Sequence, residues 1–322
     1  MASFFAGIGG FDLGFERAGF KSVYQCELDE YCRNILAHHW PHVKRDIDIK
    51  KVEKDDIPKA EIWCAGFPCQ DVSLARARPR AGLEGERSGL FYRFADLLGG
   101  SLPPFVVLEN VPGLLNSHEG RDFGIVIQTL AELGYGVGWR VLNSSNFGVP
   151  QSRQRVYIVG CRSDPRRAAE ILFEPECGSG HLTKSGQSRK TALSPFMERA
   201  ESFGRESSAD TRSKSKKIIK SEEVFVPKLS FCLAATTGRH TGTDWSRTYV
   251  AYKERVRRLL PVECEGLQGF PVGWTMPDAL FSVNDDIDSL RYHALGNAVS
   301  VPVTEWVASR IKRSLDLNPI DT

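Results

Sequence analysis

Two rhythms of apolar residues run through the first half of the chain. Short unbroken apolar runs predict strands at Ala2–Phe5, Ile62–Ala65, Phe105–Glu109, Gly138–Leu142 and Val156–Gly160, with a further strand over Lys21–Glu27. Between them apolar residues return at helical spacing. Phe11, Leu13, Phe15 and Ala18 lead to the stop signal Gly19, and helices are also predicted over Asp29–His39, Gly89–Leu98, Phe123–Leu133 and Ala298–Leu315. Strands alternating with helices over about 160 residues predict a doubly wound, Rossmann-like α/β domain.

The texture changes after about Cys161. Residues 175–221 are rich in Ser, Gly, Lys and Arg, and six basic residues (Arg205, Arg212, Lys214, Lys216, Lys217, Lys220) face only Glu206 and Asp210 within Arg205–Lys220. Such a run is either a solvated loop or a phosphate-contacting segment. The 322-residue chain as a whole carries a net charge of only +2, so any nucleic-acid surface must come from local clustering. No secretory leader is expected, and no run approaches the roughly 18 apolar residues of a membrane span. The eight cysteines form no Cys-x-x-Cys pair. Neither structural zinc nor any other metal is expected, and a reduced, cytoplasmic protein is.

The run Gly7-Ile8-Gly9-Gly10 lies between a predicted strand and a predicted helix, where backbone can approach a ligand closely. A dinucleotide fingerprint would place glycine where this chain has Asp12, and a carboxylate there would repel a pyrophosphate. A cofactor with a cationic centre suits the turn better. Glu27 ends the second strand, where it can accept hydrogen bonds from both ribose hydroxyls. Asp46 lies where a third strand would end and could accept from an adenine amino group. The turn and the two carboxylates together favour a nucleoside-bearing cofactor.

Gly66-Phe67-Pro68-Cys69-Gln70 follows one predicted strand, Leu108-Glu109-Asn110-Val111 follows another, and Gln151-Ser152-Arg153-Gln154-Arg155 precedes a third. In this order, behind Phe5-Ala6-Gly7-Ile8-Gly9-Gly10 and ahead of Arg258–Pro271 and Gly296-Asn297-Ala298-Val299, they resemble the DNA cytosine-5 methyltransferase family of bacterial restriction-modification type. The likeness spans nearly the whole chain outside about 165–250. It implies a catalytic and cofactor-binding domain over 1–165 and 290–322, and a smaller target-recognition domain over 166–289. It also implies methyl transfer from S-adenosylmethionine to carbon 5 of a flipped-out cytosine in a specific short sequence of double-stranded DNA. Cys69 would be the covalent nucleophile, apt because thiolates are strong nucleophiles near neutral pH. Glu109 would be a protonated acid at ring nitrogen 3. Arg155 would position Glu109 or the base, and Arg153 would hold the substrate carbonyl or a phosphate.

The resemblance places Phe5, Gly7, Gly9, Gly10, Glu27, Leu28, Asp46, Ile47, Pro68, Asn297 and Val299 around the cofactor, with Asn297 opening the last helix. It makes 71–89 a mobile loop closing on DNA, with Gln70, Ser73, Arg76, Arg78 and Arg87 as contacts. Thr236, Thr237 and Arg239 are the candidates for the major groove. A monomer is expected, with a cognate restriction endonuclease acting on the same site as a further expected partner. A branch of the family methylates tRNA; no feature points to it, and the basic segment 205–220 does not choose between DNA and RNA.

Overall fold

A computed structural model describes residues 1–68, 89–162, 164–173, 224–225, 227–237, 247–252, 256–277, 279–281 and 287–317. Seven strands form one sheet in the order β3-β2-β1-β4-β5-β7-β6. They are β1 (Ala2–Phe4), β2 (Tyr24–Cys26), β3 (Lys44–Asp46), β4 (Ile62–Ala65), β5 (Phe105–Asn110), β6 (Gly136–Asn143) and β7 (Gln154–Cys161). The first five run parallel, while β7 lies antiparallel to both β5 and β6. The α/β class and the alternation are as the sequence predicts.

The unbroken apolar runs have a two-sided use. Side chains alternate across a strand, so Trp63, Ala65, Val106, Leu108, Val156 and Ile158 enter one core while Ile62, Cys64, Phe105, Val107, Tyr157 and Val159 enter the other. The first core is covered by α3 (Gly89–Ser101) and α4 (Arg121–Glu132), through Phe91, Phe94, Leu97, Leu98, Val126 and Leu130. The second is covered by α1 (Gly10–Arg17), α5 (Pro165–Leu172) and the final helix, through Phe11, Phe15, Ile171, Leu172, Val303, Val307 and Ile311. A large apolar side chain fully buried in this way contributes about 2 kcal/mol. That outweighs the roughly 1 kcal/mol cost of each glycine or left-handed residue in the turns between elements.

Local signals set the helix ends. Asp29 caps α2 (Glu30–His39) by accepting from Cys32 N at 2.8 Å. Asp164 caps α5 from Arg166 N at 2.9 Å, with Pro165 in the first turn. The layer that covers the sheet thus runs on to Leu172, past the boundary expected at 165.

Three short antiparallel strands, β8 (Val224–Phe225), β9 (Tyr249–Tyr252) and β10 (Val256–Arg258), form a second sheet. It is followed by α6 (Pro261–Gln268), α7 (Asp288–Asn297) and α8 (Val301–Leu317). Leu233, Val250, Tyr252, Cys264, Leu267, Trp274 and Leu295 form a third core with Ile8 of the glycine turn and Ile35, Leu36 and Trp40 at α2. Leu233 to Trp274 of this core, expected within the target-recognition segment 166–289, therefore pack on the turn after β1.

The predicted helix Ala298–Leu315 is corrected at its start. Asn297 is the last residue of α7 and does not open the final helix; Ala298 is extended (φ −63°, ψ 146°) and α8 begins at Val301. Pro302 belongs to a first turn, where its missing N–H costs nothing. The break lets Val299 fold back over the glycine turn.

Candidate active site

The end of β1 turns sharply. Phe5, Gly7 and Gly9 have φ of 53°, 56° and 83°, in the left-handed region that glycine enters freely. At Gly9 a side chain is excluded twice over, since a Cβ would lie 2.4 Å from the Trp40 ring. At Gly10 a Cβ would meet Val299 Cγ2 at 2.6 Å. Gly7 differs, with no atom within 4 Å of a Cβ position. The turn is thus packed from behind by Trp40 and Val299 and open at Gly7. Gly7 N donates to Glu27 Oε2 at 2.7 Å, and Asp29 N donates to Glu27 Oε1 at 2.8 Å. Each carboxylate oxygen of Glu27 keeps a further lone pair for a ligand hydroxyl.

Asp46 ends β3 as expected and accepts from the Tyr24 hydroxyl through Oδ2 at 2.8 Å. Leu28 and Ile47, one residue past each of these carboxylates, are 66% and 56% exposed. Aliphatic side chains held in water at parallel strand ends suit the faces of a flat ring. These residues fit a nucleoside.

Asp12 does not face that site. It is fully buried, and its carboxylate accepts from Ser3 Oγ at 2.9 and 3.0 Å and from Gln25 Nε2 at 3.0 Å. Burial pushes its pKa up, against the pull of those hydrogen bonds. The sequence reading of Asp12 as a group repelling a pyrophosphate is therefore corrected. It fastens α1 to β1 and β2 and leaves the ligand side to backbone.

Glu109 lies on β5 beside the strand that leads to the Pro-Cys turn. It is 7% exposed. Burial pushes its carboxyl above the usual carboxylate range, opposed by the nearby Arg155 and Arg153 charges. Arg155 Nε stands 3.1 Å from Oε1, close enough for an ion pair. Even so, Oε1 has no hydrogen-bond partner, so this contact is one of charge more than direction. Oε2 lies 3.8 Å from where a Gly66 Cβ would be, and that position is also 3.8 Å from Val299 and 3.9 Å from Phe11. A glycine at 66 therefore keeps the space beside the acid open. Asn110 Nδ2 donates to Phe67 O at 3.1 Å and Asn110 Oδ1 accepts from Val111 N at 2.8 Å, binding the two loops together. The acid, the Gly66-Phe67-Pro68 segment and the glycine turn thus meet at the carboxyl ends of β1, β4 and β5, where open α/β sheets place their ligands.

A family model for C-5 cytosine-specific DNA methylases matches residues 1–313. The chain belongs to this family.

Among its relatives is the Type II methyltransferase M.NgoBI of Neisseria gonorrhoeae, 34% identical over 94% of this chain and 89% of that one. The Type II methyltransferase M.MspI of a Moraxella species is 30% identical over 97% of this chain and 70% of its own. The folds of Dnmt2 from S. pombe and of a Spodoptera frugiperda DNMT2 mutant superpose with a TM-score of 0.64 each, at 17% identity. They cover 99% and 97% of this chain, and 99% and 98% of their own. At that identity the likeness speaks for the fold alone. Family membership makes this protein a C-5 cytosine-specific DNA methyltransferase, and the relatives named are Type II methyltransferases.

Other expected residues of the methyltransferase fall in different places. Cys69, Gln70, Ser73, Arg76, Arg78, Arg87 and Arg239 lie outside the described residues, as do the basic run 205–220 and the loop 71–88. Pro68 is half-buried, three residues past the end of β4. Asn297 is exposed, with Nδ2 3.4 Å from His293 Nε2.

Arg153 is not available to a phosphate. It is 2% exposed, and its guanidinium donates to the carbonyls of Leu233, Gly296 and Ala298 at 3.1, 3.2 and 2.7 Å. Facing the core at the start of β7, it ties the 231–235 segment to the α7–α8 corner. Arg153→Ala would remove three buried hydrogen bonds, leaving Ala298 O only Gln268 Nε2 at 3.4 Å and Leu233 O only the Cys232 thiol at 3.4 Å, at about 1 kcal/mol or more each. The expected result is a destabilisation of about 3 kcal/mol or more, read as a fall in the thermal unfolding midpoint. A loss of activity at an unchanged midpoint would instead return the guanidinium to the substrate.

Thr237 is also corrected. Its hydroxyl donates to Ala234 O at 2.6 Å and accepts from Ala234 N at 3.1 Å, which closes a local turn and uses the group a base would need. Thr236 remains exposed, with Arg247 Nη2 at 3.0 Å from its hydroxyl. Gln151 is a residue the sequence reading quoted without giving it a role. Its Nε2 donates to Leu267 O at 2.9 Å and its Oε1 accepts from Leu233 N at 2.9 Å. Its place at the head of the Gln-Ser-Arg-Gln-Arg block was the available signal.

Proposed function

We propose that the methyltransferase moves a methyl group from S-adenosylmethionine to carbon 5 of a cytosine flipped out of a specific short double-stranded DNA sequence, through a covalent adduct of Cys69. The observation that carries this reading is Glu109: a buried carboxyl with a raised pKa, whose Oε1 faces Arg155 Nε and whose Oε2 opens onto the space beside Gly66 and the glycine turn. Burial favours the protonated form of a carboxyl, the form that can act as an acid.

Carbon 5 of cytosine is a poor nucleophile. Addition of the Cys69 thiolate at carbon 6 pushes an electron pair into the ring, and Glu109 relieves it by giving its proton to nitrogen 3. The resulting enamine is nucleophilic at carbon 5. S-adenosylmethionine supplies an electrophilic methyl group on a sulfonium and leaves as S-adenosylhomocysteine. Water then takes the carbon 5 proton, the electron pair left behind re-forms the carbon 5–carbon 6 double bond and expels the Cys69 thiolate, and nitrogen 3 returns its proton to Glu109. Glu27 and Asp46 would accept from the nucleoside hydroxyls and amino group, with Leu28 and Ile47 against its ring and Phe5, Gly7, Gly9, Gly10, Pro68, Asn297 and Val299 around it. Base flipping costs a few kcal/mol of stacking and pairing. Gln70, Ser73, Arg76, Arg78 and Arg87 would offset this by contacting the DNA around the flipped cytosine, with Thr236 and Arg239 reading base edges. Arg155 keeps Glu109 in place. The enzyme would act as a monomer, with a restriction endonuclease of the same sequence specificity as its cellular counterpart.

Two experiments test this. Bisulfite sequencing of DNA from cells expressing the protein should show 5-methylcytosine at one short motif. Purified enzyme with cofactor should form a denaturation-resistant adduct on duplex DNA carrying 5-fluorocytosine at that motif. Methyl transfer to tRNA and not to DNA would overturn the substrate, and cofactor binding without an adduct would overturn the covalent step.

A further inference from the structure

Glu109 and Tyr157 are directly opposed in the β5–β7 ladder, so their side chains leave the sheet on the same face. By the two-residue alternation of strands, Arg155 and Arg153 stand on that face too. Tyr157 is 1% exposed, its ring packed in the layer that also holds Phe11 and Val299. Its hydroxyl has no hydrogen-bond partner. Neither has Glu109 Oε1 nor Arg153 Nε. Three orphaned polar atoms thus sit on one buried face, and after burial itself the Glu109 charge acts most strongly on Tyr157. A buried unpaired hydroxyl carries a desolvation penalty that phenylalanine would avoid at the same ring volume. A hydroxyl kept here calls for a partner.

The two oxygens of Glu109 have different surroundings. Oε1 faces the Arg155 Nε at 3.1 Å, and Oε2 faces the space beside Gly66 and Val299. Arginine can only donate, so a neighbour that joins Arg155 at Oε1 meets an oxygen already held as an acceptor. A neutral carboxyl has one O–H. With Oε1 held as acceptor, that O–H belongs on Oε2.

We infer that Tyr157 is a positioning residue for the Glu109 acid: its hydroxyl acts on Oε1 through one water shared with Arg153 Nε, and so keeps the acid's proton on Oε2 toward the base. The inference rests on the reading of Glu109 as the proton donor. Tyr157 itself touches neither cytosine nor cofactor. Its effect is to choose which oxygen carries the proton and to hold the carboxyl in the orientation that delivers it.

Tyr157→Phe removes one oxygen and keeps the ring. The expected kcat falls about tenfold, the scale of a misdirected general acid, with DNA and cofactor Kd and the unfolding midpoint unchanged. A hydrogen bond donated to a carboxylate favours its ionised form. Its loss should therefore raise the Glu109 pKa, and the alkaline limb of kcat should move to higher pH. In a Glu109→Gln background the same substitution should have no further effect on kcat. Unchanged kcat and an unmoved limb in Tyr157→Phe, with Glu109→Gln inactive, would overturn the role of Tyr157 and leave Glu109 as the acid. Full activity in Glu109→Gln would overturn the acid itself. A lowered unfolding midpoint with weakened DNA binding would make Tyr157 a packing residue only.

Discussion

Cys69→Ser is expected to abolish turnover while leaving sequence-specific DNA binding intact. A serine hydroxyl is essentially never ionised near neutral pH, whereas a few per cent of an ordinary thiol is, and sulfur is the better nucleophile and leaving group. Losing the addition step should cost on the order of a thousandfold or more in kcat, about 4 kcal/mol of barrier. DNA binding draws on many phosphate and base contacts and should hardly notice one atom. Tritium transfer from the labelled cofactor and a gel-shift titration read the two quantities separately. No other described cysteine offers itself as a substitute. Cys26, Cys32, Cys64, Cys161 and Cys264 are buried, and burial holds the Cys64 thiol well above its usual pKa. Cys232 is exposed among the described residues, so Cys232→Ser is the control and should keep its activity. Normal turnover in Cys69→Ser would remove the thiol from the mechanism.

The sequence made the parallel half of the fold legible because its signals are local. β4 falls at the predicted Ile62–Ala65, where a continuous apolar run between polar flanks needs burial on both faces. β2 is shorter than predicted, Tyr24–Cys26 in place of Lys21–Glu27, since β1 gives it only three residues to pair with. What pairing at a distance decides was hidden. Glu109 and Arg155 meet only because β7 runs antiparallel to β5, and nothing within either motif states that direction. Arg153 and Arg155 look alike in the sequence, two residues apart on one face. Their fates differ because 231–235 and the α7–α8 corner close over the first and not the second. Asp12 shows the same limit: a carboxylate beside a glycine turn reads as facing the ligand until Ser3 and Gln25 turn it inward. The break before α8 had a signal in Pro302, outweighed by the apolar run Ala298–Val303.

Glu109→Gln should separate catalysis from stability by moving them in opposite directions. Glutamine keeps the shape and a hydrogen-bond donor but has no proton to give, so kcat should fall by about 10²- to 10⁴-fold, the usual worth of a placed general acid. Cofactor affinity should be nearly unchanged, because Glu27 and the glycine turn do not touch the substitution. The stability argument follows from the raised pKa. A carboxyl whose folded pKa exceeds its unfolded value leaves the folded state holding more protons in the window between the two. Stability is then lost as pH rises through that window, and the loss persists at neutral pH. Burial, the dominant cause of the shift, outweighs the opposing pull of Arg155 and Arg153. Removing the charge should therefore help the fold more than losing the Arg155 ion pair harms it, the more so as the Arg155 side chain is 16% exposed and can reach water. Thermal unfolding between pH 5 and 8 should show the variant as stable as the parent at the acid end and more stable at the neutral end, with methyl transfer lost throughout. A variant that unfolds earlier at every pH, or fails to bind the cofactor, would mark Glu109 as a structural strut. The stored instability would then have no catalytic purpose, and the buried acid would need another explanation.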